Sequence, residues 1–202
     1  MKRIIKNVLY VISLIRFIPH LIIYKVHPKR ELLKDDRNNW IKVIKHDDAF
    51  NMKNFFWLLN RLPEYRSVFY WRAGKVSHLF KILARPQQLL FINMPTDRVG
   101  SGLVMQHGYS TIIEAIKIGK NCQIWHNVTI GTNISNSGNK ATIGDNVKIC
   151  TGAMVLGNIK IGNNVTIGAA TIVLKNIPDN CTVVGNPAMI VKISGERVNI
   201  PL

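Results

Sequence analysis

The sequence predicts an α+β protein, an α-helical N-terminal region followed by a parallel β-helix in which every three short strands complete one coil. Three observations carry this prediction. Residues 1–98 hold 14 of the 16 aromatic residues and one of the 14 glycines, so the two halves of the chain are different materials. Apolar residues in the first half recur at helical spacing. In the second half aliphatic residues recur every six positions, a period that neither a helix nor a simple strand produces.

The chain has 202 residues, 47% hydrophobic and 19% charged, with mean hydropathy +0.09. That is enough to bury a core, and it excludes a disordered polyelectrolyte. Lysine and arginine outnumber aspartate and glutamate by 27 to 11, a net charge of +16. Such an excess points to a polyanionic partner: nucleic acid, a membrane surface, an acidic polymer or a phosphate-rich cofactor. Residues 1–98 carry +12 of it and residues 99–202 the remaining +4. Composition places a boundary near Arg98; the helical, basic region at 1–98 is expected to serve oligomerisation or a membrane surface, and 99–192 is expected to be a repeat domain followed by a tail at 193–202. Pro86 and Pro95 punctuate the first boundary.

In the N-terminal region Val8 to Val26 is apolar but interrupted by Arg16, Pro19 and His20. It therefore lacks the run of about 20 apolar residues needed to span a bilayer. No small-residue cleavage site follows Lys2, Arg3 and Lys6, so a signal peptide is not expected. Two readings stand: a helix buried in the protein or its oligomer, or an amphipathic helix lying on anionic lipid. Asn38 to His46, Asn54 to Leu62 and Ser67 to Leu83 are expected to be helical. Arg61, Arg66 and Arg72 are interleaved with Phe55, Phe56, Trp57, Tyr65, Tyr70 and Trp71. That pattern is read as a core face with a solvated rim rather than a base-stacking platform, and no nucleic acid is expected.

The six-residue count starts at Ile118 and Ile124, and reaches Ile130. After an interruption it resumes at Ile143, Ile149, Val155, Ile161, Ile167 and Val173. Six residues make one short strand and a turn, and three such sides make a triangular coil. The first residue of each hexad points into the prism and the fifth fills the interior near the corner. Glycine and asparagine between them permit the backbone angles of the corners. Stacked coils then bury an aliphatic ladder that no single coil could bury. The count breaks twice. Thr132 to Thr142 is one residue too long for register and is expected to form an extruded polar loop. Met105 and Ile118 are 13 apart instead of 12, and Gln106, His107, Gly108 and Tyr109 lie in that irregular coil.

The stretch from Gly100 to Gly131, GSGLVMQHGYSTIIEAIKIGKNCQIWHNVTIG, resembles the hexapeptide-repeat acyltransferases. It is most similar to the serine acetyltransferases and the capsular or surface-polysaccharide O-acetyltransferases. Ile177 to Val191 resembles the segment with which those chains leave the β-helix, and Leu62 to Arg72 resembles their helical region. The resemblance implies a left-handed β-helix, a homotrimer, and acetyl-CoA bound between subunits. It implies His107 as the general base that takes the proton of an acceptor hydroxyl, worth about 10²–10⁴ in rate. Glu114 matches a family glutamate and is the candidate carboxylate, with Asp97 a weaker one; Ile92 stands where an orienting acid is missing. Gln106, Tyr109 and His126 are candidate substrate contacts, and His126 is the rival base.

For acetyl-CoA the resemblance implies backbone contacts at Thr151, Gly152, Ala169 and Ala170. Lys175 and Lys192 are candidates for its phosphates. No metal is implied. Cys122, Cys150 and Cys181 form no C-x-x-C and no Cys/His cluster. Reduced thiols in a cytoplasmic protein are expected, with the inner face of the membrane as its second placement. Two departures from the serine acetyltransferases matter. Gln106 replaces an aspartate before the histidine, and the loop 132–142 lacks the family's Asp-Arg-His. A zwitterionic serine calls for charged partners, so a sugar hydroxyl of a surface polysaccharide or its precursor is the leading acceptor. Serine O-acetylation is the alternative, and a non-catalytic, membrane-associated β-helix scaffold is the alternative of another class.

Overall fold

A computed structural model of the chain describes residues 11–12, 14–46, 51–84, 86–132 and 138–202. The chain divides into two compact units, Met1–Gln88 and Leu89–Leu202. This boundary lies ten residues before the composition break at 98. The physical reason is that Phe91 and Ile92 already pair in register with Ile112 and Ile113 of the β-helix.

The first unit contains α1 (Ile18–Val26), α2 (Arg30–Lys45), α3 (Met52–Arg61) and α4 (Pro63–Ala73), followed by a 3₁₀ segment, Lys75–Ala84. Local chemistry sets the limits. Asn51 caps α3 by accepting the Asn54 N–H at 3.0 Å. Pro63 opens α4, and Gly74, at φ 72°, ends it. The core is aromatic, with Trp40 edge-on to Tyr65 at 5.5 Å and Tyr24 against Phe55 at 4.6 Å. Phe55, Tyr65, Phe69 and Tyr70 are buried, so these rings of the aromatic–basic interleaving serve the core. The interleaved arginines are not a solvated rim throughout. Arg66 donates to the carbonyls of Leu59 and Pro86, and Arg72 pairs with Asp36 at 2.9 Å with both side chains buried. Each buried cation has its own acceptor, as burial requires.

His20, for which the sequence offers no partner, is buried and hydrogen-bonded through Nε2 to the Tyr70 hydroxyl. Because that hydroxyl donates to the Phe80 carbonyl, the imidazole is the donor to its oxygen. Nδ1 is buried with no partner among the described residues. Burial, and then the nearby Arg16 charge, lower the pKa of His20 to about 4.

The second unit is the predicted parallel β-helix. Its strands are β1 (Phe91–Ile92), β2 (Val104–Gln106), β3 (Ile112–Ile113), β4 (Lys117–Ile118) and β5 (Gln123–Trp125). Then follow β6 (Thr129–Gly131), β7 (Thr142–Ile143), β8 (Lys148–Ile149), β9 (Met154–Leu156) and β10 (Lys160–Ile161). The last are β11 (Thr166–Ile167), β12 (Ile172–Val173), β13 (Cys181–Val184), β14 (Met189–Ile193) and β15 (Glu196–Pro201). One face of the prism is β1-β3-β6-β9-β12, the second is β4-β7-β10, and the third is β2-β5-β8-β11-β13. Every pairing between coils is parallel and in register, as in Met105–Ile124–Ile149–Ile167–Val183. The first residues of the hexads are buried, and so are the fifth, Cys122, Val128, Val147, Ala153, Val165 and Thr171 among them.

Glycine and asparagine divide the corner work differently from the expectation. Asn121, Asn146, Asn164 and Asn180 take the left-handed angles, φ 56–60°. Their side chains form a ladder, each donating its amide N–H to the next carbonyl oxygen at 2.9–3.3 Å. Gly100, Gly119, Gly144 and Gly162 are needed for space instead. A Cβ on any of them would lie 2.4–2.7 Å from the backbone of the following coil.

The segment 193–202 is not a tail. β14 and β15 pair antiparallel on the free edge of β13, turning at Ser194 and Gly195, both at positive φ. The hairpin thereby covers the edge that the last coil would leave open.

Gly144→Ala should lower the unfolding free energy by about 1–3 kcal/mol in urea titrations. Gly131→Ala, where a Cβ meets nothing within 4 Å, should change it by less than about 0.5 kcal/mol. His20 is held neutral in the fold, while the unfolded chain protonates near pH 6.5. Its contribution is therefore complete above pH 6.5 and declines as pH falls toward 4, by about 2–3 kcal/mol in all. Urea midpoints across that range should fall less steeply in His20→Leu than in the wild type.

Candidate active site

The corner between the third and first faces carries the candidate site. Gln106 is in register with Trp125, and Ile124 with Ile149 and Ile167. The residues that follow, His107, His126, Thr151 and Ala169, therefore stack one above another where the chain turns. In the regular coils this turn is tight. The Gly152 N–H donates to the His126 carbonyl at 3.1 Å, and the Ala170 N–H to that of Thr151 at 2.9 Å.

The first coil departs from this pattern, as its extra residue predicts. Asn127 donates to the carbonyl of Tyr109 at 2.7 Å rather than to that of His107. The Tyr109 N–H turns back onto the His107 carbonyl, and His107 itself takes φ 58°. The buried Thr111 hydroxyl bridges to the carbonyls of Trp125 and Tyr109, at 3.0 and 3.3 Å, and pins the bulge to the coil. The result is an exposed His107 beside Tyr109, which is 65% exposed.

His126 lies in the next coil, edge-on to His107 with ring centroids 6.1 Å apart. It is half-buried, and its Nδ1 has no hydrogen-bond partner among the described residues. Gln106 reaches Gln123 through its amide at 3.5 Å. His107, His126, Gln106 and Tyr109 lie together at this corner with Thr111 and Asn127, which the sequence analysis did not single out. Asn127-Val128 repeats the Asn-then-apolar step of Asn121-Cys122, Asn146-Val147 and Asn164-Val165, and that repeat was the available signal.

Glu114 lies elsewhere. It follows β3 at the far end of the first face, and its carboxylate pairs with Lys140 at 2.8 Å. The strand carries it one side of the prism away from the His107 corner, to the base of the extruded loop. Asp97 is exposed in the 3₁₀ turn Thr96–Arg98, and Ile92 lies in β1. Of the loop 132–142, residues 133–137 lie outside the described residues.

Above His126 the corner is nearly bare of side chains. Gly152 at φ 71° and Ala170 at φ 55° make the turns, and Thr151 and Ala169 flank them. The Gly152 and Ala170 amides are already committed to coil-to-coil bonds, so they are not free donors to a ligand. Lys175 donates to the Leu202 carbonyl at 3.0 Å, and Lys192 is exposed on β14 of the third face. Cys122 is buried, which pushes its thiol up to about 12. Burial also raises Cys150 and Cys181. No group of three or more His, Cys, Asp or Glu suited to a metal occurs among the described residues.

The stacked coils, with their six-residue period and in-register Ile ladder, define a hexapeptide-repeat β-helix protein. Residues 140–175 match the family described as bacterial transferase hexapeptide (six repeats), in agreement with the resemblance read from the sequence. The chain is 43% identical over 126 residues to the serine acetyltransferase of Synechococcus elongatus, covering 61% of this chain and 50% of that one. It is 46% identical over 106 residues to the serine acetyltransferase of Staphylococcus aureus, covering 52% and 50%. The chain thus spans about half the length of the curated relatives it matches.

The serine acetyltransferase structure from Neisseria gonorrhoeae superposes with a TM-score of 0.63 at 23% identity, covering 88% of this chain and 70% of that one. The Brucella abortus serine acetyltransferase, solved with coenzyme A, gives 0.64 at 23% identity, covering 88% and 72%. The shared fold is the left-handed β-helix preceded by helices.

The cysteines supply the test of this description. A buried thiol held at a high pKa is a poor nucleophile. Iodoacetamide should leave Cys122 unmodified in the folded protein at pH 8 and alkylate it in urea, as read by peptide mass spectrometry.

Proposed function

We propose that this protein is an acetyl-CoA-dependent O-acetyltransferase with His107 as its general base. One observation carries the reading. An exposed histidine is held on a pinned bulge of a β-helix corner whose continuation is stripped of side chains. A slim, extended pantetheine arm suits such a wall at Thr151, Gly152, Ala169 and Ala170, bonding to groups other than the spent Gly152 and Ala170 amides.

His107 accepts the proton of the acceptor hydroxyl while the oxygen attacks the thioester carbonyl. The C–S bond then breaks as the imidazolium returns its proton to the departing sulfur, leaving an O-acetyl ester and free CoA thiol. His126, whose Nδ1 has no partner among the described residues, is proposed to contact the reacting groups. The enzyme is proposed to act as a homotrimer in the cytoplasm, with the acyl donor bound between subunits.

The relatives support L-serine as the acceptor, and this reading takes precedence over the sugar hydroxyl favoured by the sequence. A sugar hydroxyl is kept as the second reading because of what the corner presents. Gln106 and Tyr109 flank His107, and Glu114, the carboxylate offered for the site, is paired with Lys140 instead.

Release of CoA thiol from acetyl-CoA tests both acceptors. Turnover with L-serine and none with a panel of sugars and sugar nucleotides establishes the first, and the converse establishes the second. No turnover with either refutes the transferase reading. His107→Ala should lower turnover by about 10²–10⁴ while leaving acetyl-CoA affinity nearly unchanged. Activity that survives the substitution would assign the base to His126.

A further inference from the structure

The helical segment that runs through α1 is apolar on two opposite sides. Phe17, His20 and Tyr24 face the core. Val11, Ile15, Ile18, Ile22 and Val26 are 49–73% exposed. The chain turns at Arg16 and Phe17, where the Phe17 N–H donates to the Leu14 carbonyl at 3.0 Å, and enters α1 at Ile18. At about 100° per residue, Ile18, Ile22 and Val26 of α1 fall within an arc of about 80° on the side away from the core. Lys25 borders this arc, about 20° beyond its edge, and is exposed. The 3₁₀ segment that packs beside α1 exposes Leu79 and Ile82 as well.

Charge decides what covers this stripe. Residues 1–30 contain seven lysines and arginines and no aspartate or glutamate. A second copy would bring the same positive charge against itself, whereas an anionic bilayer presents the opposite sign. No helix among the described residues is long and apolar enough to cross a membrane, so the stripe has the form of a segment lying in the interface.

We propose that this stripe is a peripheral docking surface for an anionic phospholipid bilayer, with its aliphatic side chains in the headgroup boundary and Lys25 and its basic neighbours on the phosphates. The inference is independent of which hydroxyl the enzyme acetylates.

The test is flotation of the full chain with vesicles of phosphatidylcholine alone and of three parts phosphatidylcholine to one part phosphatidylglycerol. The protein should float with the anionic vesicles at least tenfold more than with the neutral ones, and 0.5 M salt should release most of it (about 3–8 Å of screening length remains at such salt). Ile15→Ser/Ile18→Ser/Ile22→Ser should abolish flotation while circular dichroism stays unchanged. Lys25→Glu, which leaves the apolar stripe whole, should weaken it severalfold. Absence of flotation by the wild type, equal flotation with neutral vesicles, or unchanged flotation of the triple variant would overturn the proposal. So would a fall in oligomer mass of the triple variant with no change in lipid binding, because a second copy would then be the occupant.

Discussion

The β-helix depends on one constraint: successive coils must stack at strand spacing, about 4.8 Å, with every side of the triangle in register. The aliphatic ladders from Met105 to Val183, Ile113 to Val173 and Ile118 to Ile161 are the apolar side of that constraint. The polar side lies at the corners. There the asparagine ladder satisfies itself, and the glycines at 100, 119, 144 and 162 let backbone approach backbone where a methyl group would collide. Each coil alone would expose its aliphatic residues and strand edges, so stability belongs to the stack.

The same constraint makes the candidate site. A coil with one residue too many cannot absorb it along a side, because that would turn the whole ladder out of register. The surplus is pushed out at a corner, where Thr111 and Asn127 re-anchor the chain and His107 is left exposed in a left-handed conformation. In the coils above, the equivalent turns are made by Gly152 and Ala170, and the corner becomes a smooth wall. Irregularity exposes the histidine, and regularity builds the surface alongside it.

The helical unit follows other rules. Its aromatic core accommodates Arg66, Arg72 and His20, each with a specified partner, and burial, then the nearby Arg16 charge, lowers the pKa of His20. Having buried its rings inward, α1 leaves a second apolar side uncovered on a strongly basic segment. The division of the chain at Gln88 rather than near residue 98 reflects that pairing, not composition, decides where a fold unit starts.

The sequence alone determined the repeat, its register, the interior residues at first and fifth positions, and the coil in which a histidine would be displaced. These are consequences of a fixed period, and a period is visible without coordinates. Only the tertiary structure decided the contacts between residues whose separation in sequence carries no pattern. It paired Glu114 with Lys140 at the far end of a face. It turned residues 193–202 from a tail into a hairpin on the last strand, and at one corner assigned space to Gly100, Gly119, Gly144 and Gly162 and the left-handed angle to the neighbouring asparagines. The reason is physical: periodicity fixes which way a side chain points, whereas an ion pair, a cap or a steric limit depends on what the neighbouring coil or helix brings within a few ångströms.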